Sequence, residues 1–185
     1  IVASGDGDAF SIGGNHFLHA CRRNVDLTCI VMDNEVYGMT KGQPSPTTGP
    51  DWHSKLMPEG TGINPLRPLA VALASGAGFI ARGFSGDPNG VAKLLVEAIQ
   101  YPGFSLVQIL SPCVTYRPEE RHWKQQVHAI GMEPTTNPVE AGQRLFADDG
   151  LSTGVFYRAV LPGYPGTVRA RSDDHLAAIE AELAL

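Results

Sequence analysis

Asp6 lies between two glycines in Gly5-Asp6-Gly7-Asp8, and Asn34 follows 28 positions later in Asp33-Asn34-Glu35-Val36-Tyr37-Gly38. A carboxylate and a carboxamide are hard oxygen donors of the kind Mg²⁺ takes. That ion completes its octahedron with a backbone carbonyl, water and phosphate oxygens rather than with a cage of side chains. Gly5 and Gly7 let the backbone approach a phosphate closely, and the helix start that follows would add amide donors. Together they predict a Mg²⁺-diphosphate site. A lone Gly-Asp-Gly is also an ordinary turn, so the reading leans on Asn34 standing at its offset.

Such a pair works only if the fold brings it together. Ile1 to Ser4 and Leu27 to Met32 are short apolar, β-branched runs flanked by turn residues, as in buried strands of a parallel sheet. Between them the pattern predicts a helix over Gly14 to Arg23, with Phe17, Ala20 and Cys21 inward and Arg22-Arg23 at its C-terminal end. Strand, Gly-rich turn, helix, strand is a βαβ unit, which sets Asp6 and Asn34 at adjacent strand ends, in the crevice where open α/β sheets bind ligands. The segment 33–65, rich in Gly, Pro, Ser and Thr, is too long for a plain connection and reads as functional.

The alternation resumes with a helix over Leu66 to Ser75, a strand over Phe79 to Phe84, a helix over Pro88 to Gln100 capped by Asp87, and a strand over Phe104 to Leu110. Repeated βα units predict an α/β fold: a doubly wound, mostly parallel sheet with helices on both faces. Residues 111–136 read as a polar, surface-wrapping arm. A helix from Asn137-Pro138 to Ala147, a short strand at Val155 to Tyr157 and a final helix over Ser172 to Leu183 complete the chain. The division expected is a cofactor-binding core over 1–116 and a C-terminal arm with helices over 117–185 of the same subunit.

Other residues carry two readings each. Asp8 is either a helix N-cap or a diphosphate contact. Asn15 and His16 are caps or ligand contacts, and the preceding Gly13-Gly14 favours close approach of a ligand. His19 reads as packing, and Arg22-Arg23 as a solvated or subunit-facing helix end. Lys41, in a Gly-flanked loop, is a surface lysine or a cation for a phosphate or substrate carboxylate. Cys21 and Cys29 fall on buried faces and read as core.

The surrounding words narrow the chemistry. Gly5-Asp6-Gly7-Asp8, Ile12-Gly13-Gly14-Asn15-His16, Arg22-Arg23-Asn24, Tyr37-Gly38-Met39-Thr40-Lys41-Gly42-Gln43 and Ser45-Pro46-Thr47 resemble the beta subunit of 2-oxoacid:ferredoxin oxidoreductases, in its 2-oxoglutarate or broad 2-oxoacid type. The resemblance runs from Ile1 to about Tyr116, with Gly154-Val155-Phe156-Tyr157-Arg158 as a weaker later match, and then fades. It implies thiamine diphosphate as cofactor, with Mg²⁺ held by Asp6, the Asn34 side chain and the backbone of Val36. Cofactor contacts would come from Gly5, Gly7, Asp8, Gly14, Asn15, His16, Tyr37, Gly38 and Thr40.

It implies oxidative decarboxylation of a 2-oxoacid to an acyl-CoA and CO₂, with electrons passed through iron-sulfur centres to ferredoxin. Cys113, in Ser111-Pro112-Cys113-Val114-Thr115-Tyr116, resembles the family's segment that supplies one thiolate to a [4Fe-4S] cluster. A cluster needs four. The other three lie N-terminal to the Gly-Asp-Gly segment in that family, so Cys113 is an orphaned ligand or a free thiol. Partners implied are an alpha subunit carrying the pyrimidine-binding domain, ferredoxin, the 2-oxoacid and coenzyme A. No Glu here serves to activate the aminopyrimidine, and Glu35 is expected to point away. Rival readings are a thiamine diphosphate decarboxylase or synthase fragment without iron-sulfur chemistry, and a non-catalytic scaffold of the same fold.

Bulk properties agree with this picture. The 185 residues are 43% hydrophobic with mean hydropathy -0.07 and net charge -5, which gives no basic face for nucleic acid and no apolar run fit to span a membrane. Three cysteines without a CxxC pair point to a reducing compartment and a cytoplasmic protein. No signal peptide is visible. The chain opens at Ile1 inside a strand-like run, which reads as a piece of a longer polypeptide or of a complex.

Overall fold

The computed structural model describes residues 1–163; the helix expected over Ser172 to Leu183 lies outside them. In chain order the elements are β1 (Val2–Gly5), a π-helical turn (Asp8–Ile12), α1 (Gly14–Arg23), β2 (Leu27–Asp33), β3 (Val36–Tyr37), β4 (Gln43–Pro44), α2 (Pro68–Ala74), β5 (Phe79–Phe84), α3 (Pro88–Gln100) and β6 (Phe104–Leu110). A 3₁₀ turn (Pro118–His122), α4 (Trp123–Gln126), β7 (His128–Ala129), α5 (Pro138–Ala147) and β8 (Ser152–Arg158) follow. The main sheet has the order β1-β2-β6-β5-β8-β7. β1, β2, β6 and β5 are parallel, and β8 runs antiparallel to β5. The mostly parallel α/β sheet expected from the sequence is thus present.

Alternation along the central strands splits the core between two faces. On one face Cys29, Val31, Ile80 and Leu106 meet Phe17 and Cys21 of α1, Leu69 and Ala72 of α2, and Ala141 and Leu145 of α5. On the other, Phe79, Ala81, Val107 and Ile109 meet Ala98 of α3 and Tyr101 just beyond it. Cys21 and Cys29 are therefore core, and burial pushes their thiols up to about 12 and about 11. Helices cover both faces because every position of β5 and β6 is buried and each face needs its own apolar cover. Asp87 caps α3, accepting from the Gly90 amide at 3.0 Å, and Asn137 caps α5.

Several local expectations need correction. The Gly-rich turn after β1 is helical, since Asp6 and Gly7 already have helical geometry and lead into the π-turn, where the Gly13 amide donates to the Asp8 carbonyl at 2.8 Å. α1 is capped by Gly13 without any side-chain bond, so Asp8, Asn15 and His16 are not its caps. His19 is exposed rather than packed. α2 starts at Pro68, two residues later than expected, since proline disfavours helical geometry at the preceding Arg67. β8 is longer than the predicted Val155 to Tyr157, because it borders β5 over Phe79 to Arg82. Residues 111–136 are not simply a polar arm, since Arg117, Glu120 and Trp123 are buried and Trp123 packs with Phe84 and Leu110.

Candidate functional site

Parallel pairing of β1 with β2 sets Gly5 opposite Met32, so Asp6 and the pair Asp33-Asn34 emerge side by side at the carboxyl end of the sheet. β6 ends beside them, and the Ser111 amide donates to the Asp33 carbonyl at 2.7 Å. The sequence places Asp33 at the start of a loop; the structure makes it the last residue of β2, 1% exposed. Its carboxylate accepts from the Glu35 amide at 3.1 Å and the Gln108 side-chain amide at 2.6 Å. Burial, then the neighbouring Asp6, pushes Asp33 up against these bonds.

Asp6 is 3% exposed. Among the described residues its carboxylate meets one donor, the Thr47 hydroxyl at 3.0 Å from Oδ2, and no cationic side chain. That hydroxyl also lies 2.8 Å from Asp33 Oδ1, and with a single proton it can serve only one carboxylate at a time. Asp33 has two other donors, so Asp6, which depends on that shared proton, is the poorly compensated one. A cation at Asp6 would supply what the protein does not.

The loop after β2 is shaped to face that position. The Val36 amide donates to Asn34 Oδ1 at 3.2 Å, a turn closed by the side chain, and Glu35 between them has φ +52. Left-handed geometry in a non-glycine residue costs on the order of 1–3 kcal/mol and needs support from its surroundings. Thr48 provides some, its hydroxyl donating to the Glu35 carbonyl at 2.5 Å. Val36 lies opposite Pro44, which has no amide hydrogen, and the next amide, Ser45, donates to Thr48. The Val36 carbonyl is thereby spared by its strand partner.

The hairpin of β3 and β4 folds back over the Gly-Asp-Gly segment. Tyr37 donates its hydroxyl to the Gly7 carbonyl at 3.1 Å, and a Cβ on Gly7 would sit 2.1 Å from the Tyr37 ring. Gly7 is thus required by the tyrosine that covers it. Lys41 turns the hairpin with φ +66 and its side chain is exposed, as are those of Met39 and Thr40. Asp8, Asn15 and His16 are exposed at the start of the helical segments that follow β1, whereas Gly5, Gly14 and Gly38 have open space where a Cβ would stand.

A row of polar side chains continues across the sheet. Gln108 on β6 accepts from Arg82 Nε on β5 at 2.9 Å, and Arg82 Nη1 pairs with Asp148 at 2.5 Å. These groups border a cleft of about 220 Å³ with Asp33, Glu35, Thr47 and Arg67. Sequence reading gave no role to Asp33, Thr48, Gln108 or Arg82. The available signal was a large polar side chain inside a mostly apolar strand, Gln108 in Phe104 to Leu110 and Arg82 in Phe79 to Phe84.

Beyond β6, Cys113 is partly buried, and its amide donates to Glu120 Oε2 at 2.7 Å. The other two cysteines stay in the core, so Cys113 is the one thiol near this end of the sheet among the described residues. Glu35 forms an ion pair with Arg117. Burial pushes Glu35 up to about 7 and Glu120 up to about 8, against the opposing pull of Arg117 on both. Among the described residues no three His, Cys, Asp or Glu side chains gather as a metal cage, and no helix is long and apolar enough to cross a membrane.

Comparison with known proteins places this geometry. Residues 1–109 match the family described as thiamine pyrophosphate enzyme, C-terminal TPP binding domain. The chain is 45% identical over 117 residues to the 2-oxoglutarate synthase subunit KorB of Archaeoglobus fulgidus, covering 63% of this chain and 44% of that one. It is 34% identical over 192 residues to the 2-oxoacid:ferredoxin oxidoreductase subunit beta of a Sulfolobus species, covering 95% and 63%.

The solved 2-oxoglutarate:ferredoxin oxidoreductase of Magnetococcus marinus, with 2-oxoglutarate, coenzyme A and succinyl-CoA bound, superposes with TM-score 0.80 at 35% identity over 97% of this chain and 60% of that chain. The family match ends at residue 109 and the likeness to the Archaeoglobus subunit covers 117 residues, while the Sulfolobus subunit and the Magnetococcus structure match most of the chain. The chain spans about half the length of the curated relatives it matches.

Proposed function

We propose that this chain, which belongs to the thiamine pyrophosphate enzymes through their C-terminal cofactor-binding domain, is part of the beta subunit of a 2-oxoacid:ferredoxin oxidoreductase and anchors Mg²⁺ and the cofactor's diphosphate. The observation that carries the reading is Asp6, a buried carboxylate that shares one hydroxyl proton with Asp33 and has no cationic partner among the described residues, beside Asn34 and Val36, whose strand partner Pro44 has no amide hydrogen to give. This donor set suits a hard cation whose remaining ligands are phosphate oxygens and water. Asp6, the Asn34 side chain and the Val36 backbone would hold the metal. Gly5, Gly7, Asp8, Gly14, Asn15, His16, Tyr37, Gly38 and Thr40 would line the cofactor.

When bound, thiamine diphosphate supplies the electron sink for cleaving the bond between a 2-oxo carbon and its carboxylate. The work of this chain is to fix the diphosphate end. Tyr37 closes the hairpin over Gly7, and Asp33, held by Gln108 and the Glu35 amide, keeps the metal loop in register with β2. Lys41, on the hairpin turn, is the cation we assign to a distal substrate carboxylate, which favours 2-oxoglutarate over pyruvate. Cys113 is assigned as one ligand of a [4Fe-4S] cluster whose other thiolates come from outside these residues. The alpha subunit would bring the pyrimidine-binding domain, with coenzyme A as acyl acceptor and ferredoxin as electron acceptor. Three free cysteines and the relatives' redox chemistry support a reducing, cytoplasmic setting.

The test is turnover by the purified complex. The expected result is ferredoxin reduction that requires 2-oxoglutarate, coenzyme A, thiamine diphosphate and Mg²⁺, with iron and sulfide present in the protein. CO₂ release without iron or ferredoxin reduction would instead support a simple decarboxylase. Mg²⁺-dependent cofactor binding with no turnover of any 2-oxoacid would support a scaffold.

A further inference from the structure

Arg117 bridges two parts of the molecule that the proposed function treats separately. Its side chain is 10% exposed. Nη1 pairs with the Glu35 carboxylate and donates to the Glu35 carbonyl at 3.3 Å, so one guanidinium holds both ends of the left-handed residue between Asn34 and Val36. Nε donates to Glu119 at 3.1 Å and lies 2.8 Å from Glu120 Oε1. Its single hydrogen is directed to Glu119, which leaves Glu120 Oε1 buried without a hydrogen bond.

The backbone is tied in as well. The Arg117 amide donates to the Cys113 carbonyl at 2.8 Å, while the Cys113 amide donates to Glu120. The guanidinium also lies over Trp52, 5.5 Å from the ring centroid, and Tyr116 packs on Gly42 of the hairpin. A planar fork that serves a carbonyl, carboxylates and an aromatic face at once has no equivalent in lysine.

We propose that Arg117 is a positioning residue for the metal loop: it holds Glu35 in its left-handed conformation, and through it sets the Asn34 side chain and Val36 carbonyl while tying them to the Cys113 segment. The proposal rests on the metal-site reading above. It acts through Glu35, the residue its guanidinium holds, rather than as one of the proposed ligands. Groups that orient metal ligands from behind act on metal affinity without being ligands themselves.

Arg117→Met alone would strand the buried Glu120 carboxylate and endanger folding. The test therefore uses Arg117→Lys and the double variant Arg117→Met/Glu120→Gln. Each is purified as the intact complex, stripped with chelator and titrated with thiamine diphosphate over a series of Mg²⁺ concentrations, with binding followed by calorimetry. Asp6→Ala is the control. The expected result is a half-saturating Mg²⁺ concentration raised about ten- to a hundredfold, with cofactor affinity restored at saturating Mg²⁺. An unchanged Mg²⁺ dependence in both variants, with binding abolished in Asp6→Ala, overturns the role of Arg117 and leaves the metal site standing. Equal loss of affinity at every Mg²⁺ concentration also overturns it, because that marks general damage. Normal binding by Asp6→Ala removes the metal site itself.

Discussion

At the scale of the residue, the site is defined by what Asp6 lacks. A carboxylate this buried is ordinarily paired, and among the described residues its one donor is a hydroxyl shared with Asp33. Gly7 has a different constraint, set by the Tyr37 ring. Gly7→Ala should displace Tyr37, break its bond to the Gly7 carbonyl and destabilise the fold by about 1–3 kcal/mol, with weaker cofactor binding. Thermal unfolding and a cofactor titration check this together, and unchanged values in both would show that the hairpin does not depend on that contact. Asp6 and Asn34 were legible in the sequence because they sit just past strands whose ends the apolar runs mark. Asp33 was not, since an aspartate after Met32 looks like the start of a loop until β6 is known to lie beside it.

At the scale of the element, the hairpin and the segment after β6 both lie at the carboxyl end of the sheet. Lys41 is exposed on the hairpin turn, where a dicarboxylate's far end could reach it. Lys41→Met should raise KM for 2-oxoglutarate about tenfold or more, the consequence of losing about 1.4 kcal/mol of a charge-assisted contact, while pyruvate turnover changes little. Equal losses for both substrates would place Lys41 near the cofactor or in loop structure instead.

Cys113→Ser in the complex should lower the iron-to-protein ratio and block ferredoxin reduction with cofactor binding intact, because a hydroxyl replaces a thiolate poorly at iron. An unchanged iron content with full reduction would make Cys113 a structural thiol. The central strands and α1, α3 and α5 were readable from periodicity and caps. The short elements between Pro118 and Ala129 were not, because Trp123 and Arg117 are buried by long-range packing that leaves no local pattern.

At the scale of the whole molecule, a polar row crosses an apolar sheet from Asp6 through Thr47, Asp33, Gln108 and Arg82 to Asp148. Burial raises the Asp148 carboxyl, but Arg82, the Ser152 hydroxyl and the Gly150 amide outweigh it and hold the group below the usual carboxylate range. Its contribution to stability is therefore present above about pH 4, the unfolded value, and is lost as pH falls through the lower folded value. Arg82→Met should cost about 3–5 kcal/mol by stranding a buried charge, read as a lower Tm at pH 7 that converges on the parent in acid; equal Tm values at pH 7 would show the pair to be dispensable. Charges on interior strands could be seen in the sequence, but not their partners, Gln108 on a neighbouring strand, Thr47 in a loop and Asp148 at the end of α5, which meet them only in the folded molecule.

The central claim is that Asp6 holds the metal that holds the cofactor. Calorimetric titration of thiamine diphosphate into the stripped complex, with Mg²⁺ and with chelator, compares the parent with Asp6→Ala and Asn34→Ala. Binding should require Mg²⁺, vanish in Asp6→Ala, and weaken less in Asn34→Ala, where a neutral ligand is lost and water can replace it. Near-parental affinity of Asp6→Ala, or binding by the parent that is indifferent to Mg²⁺, would contradict the account.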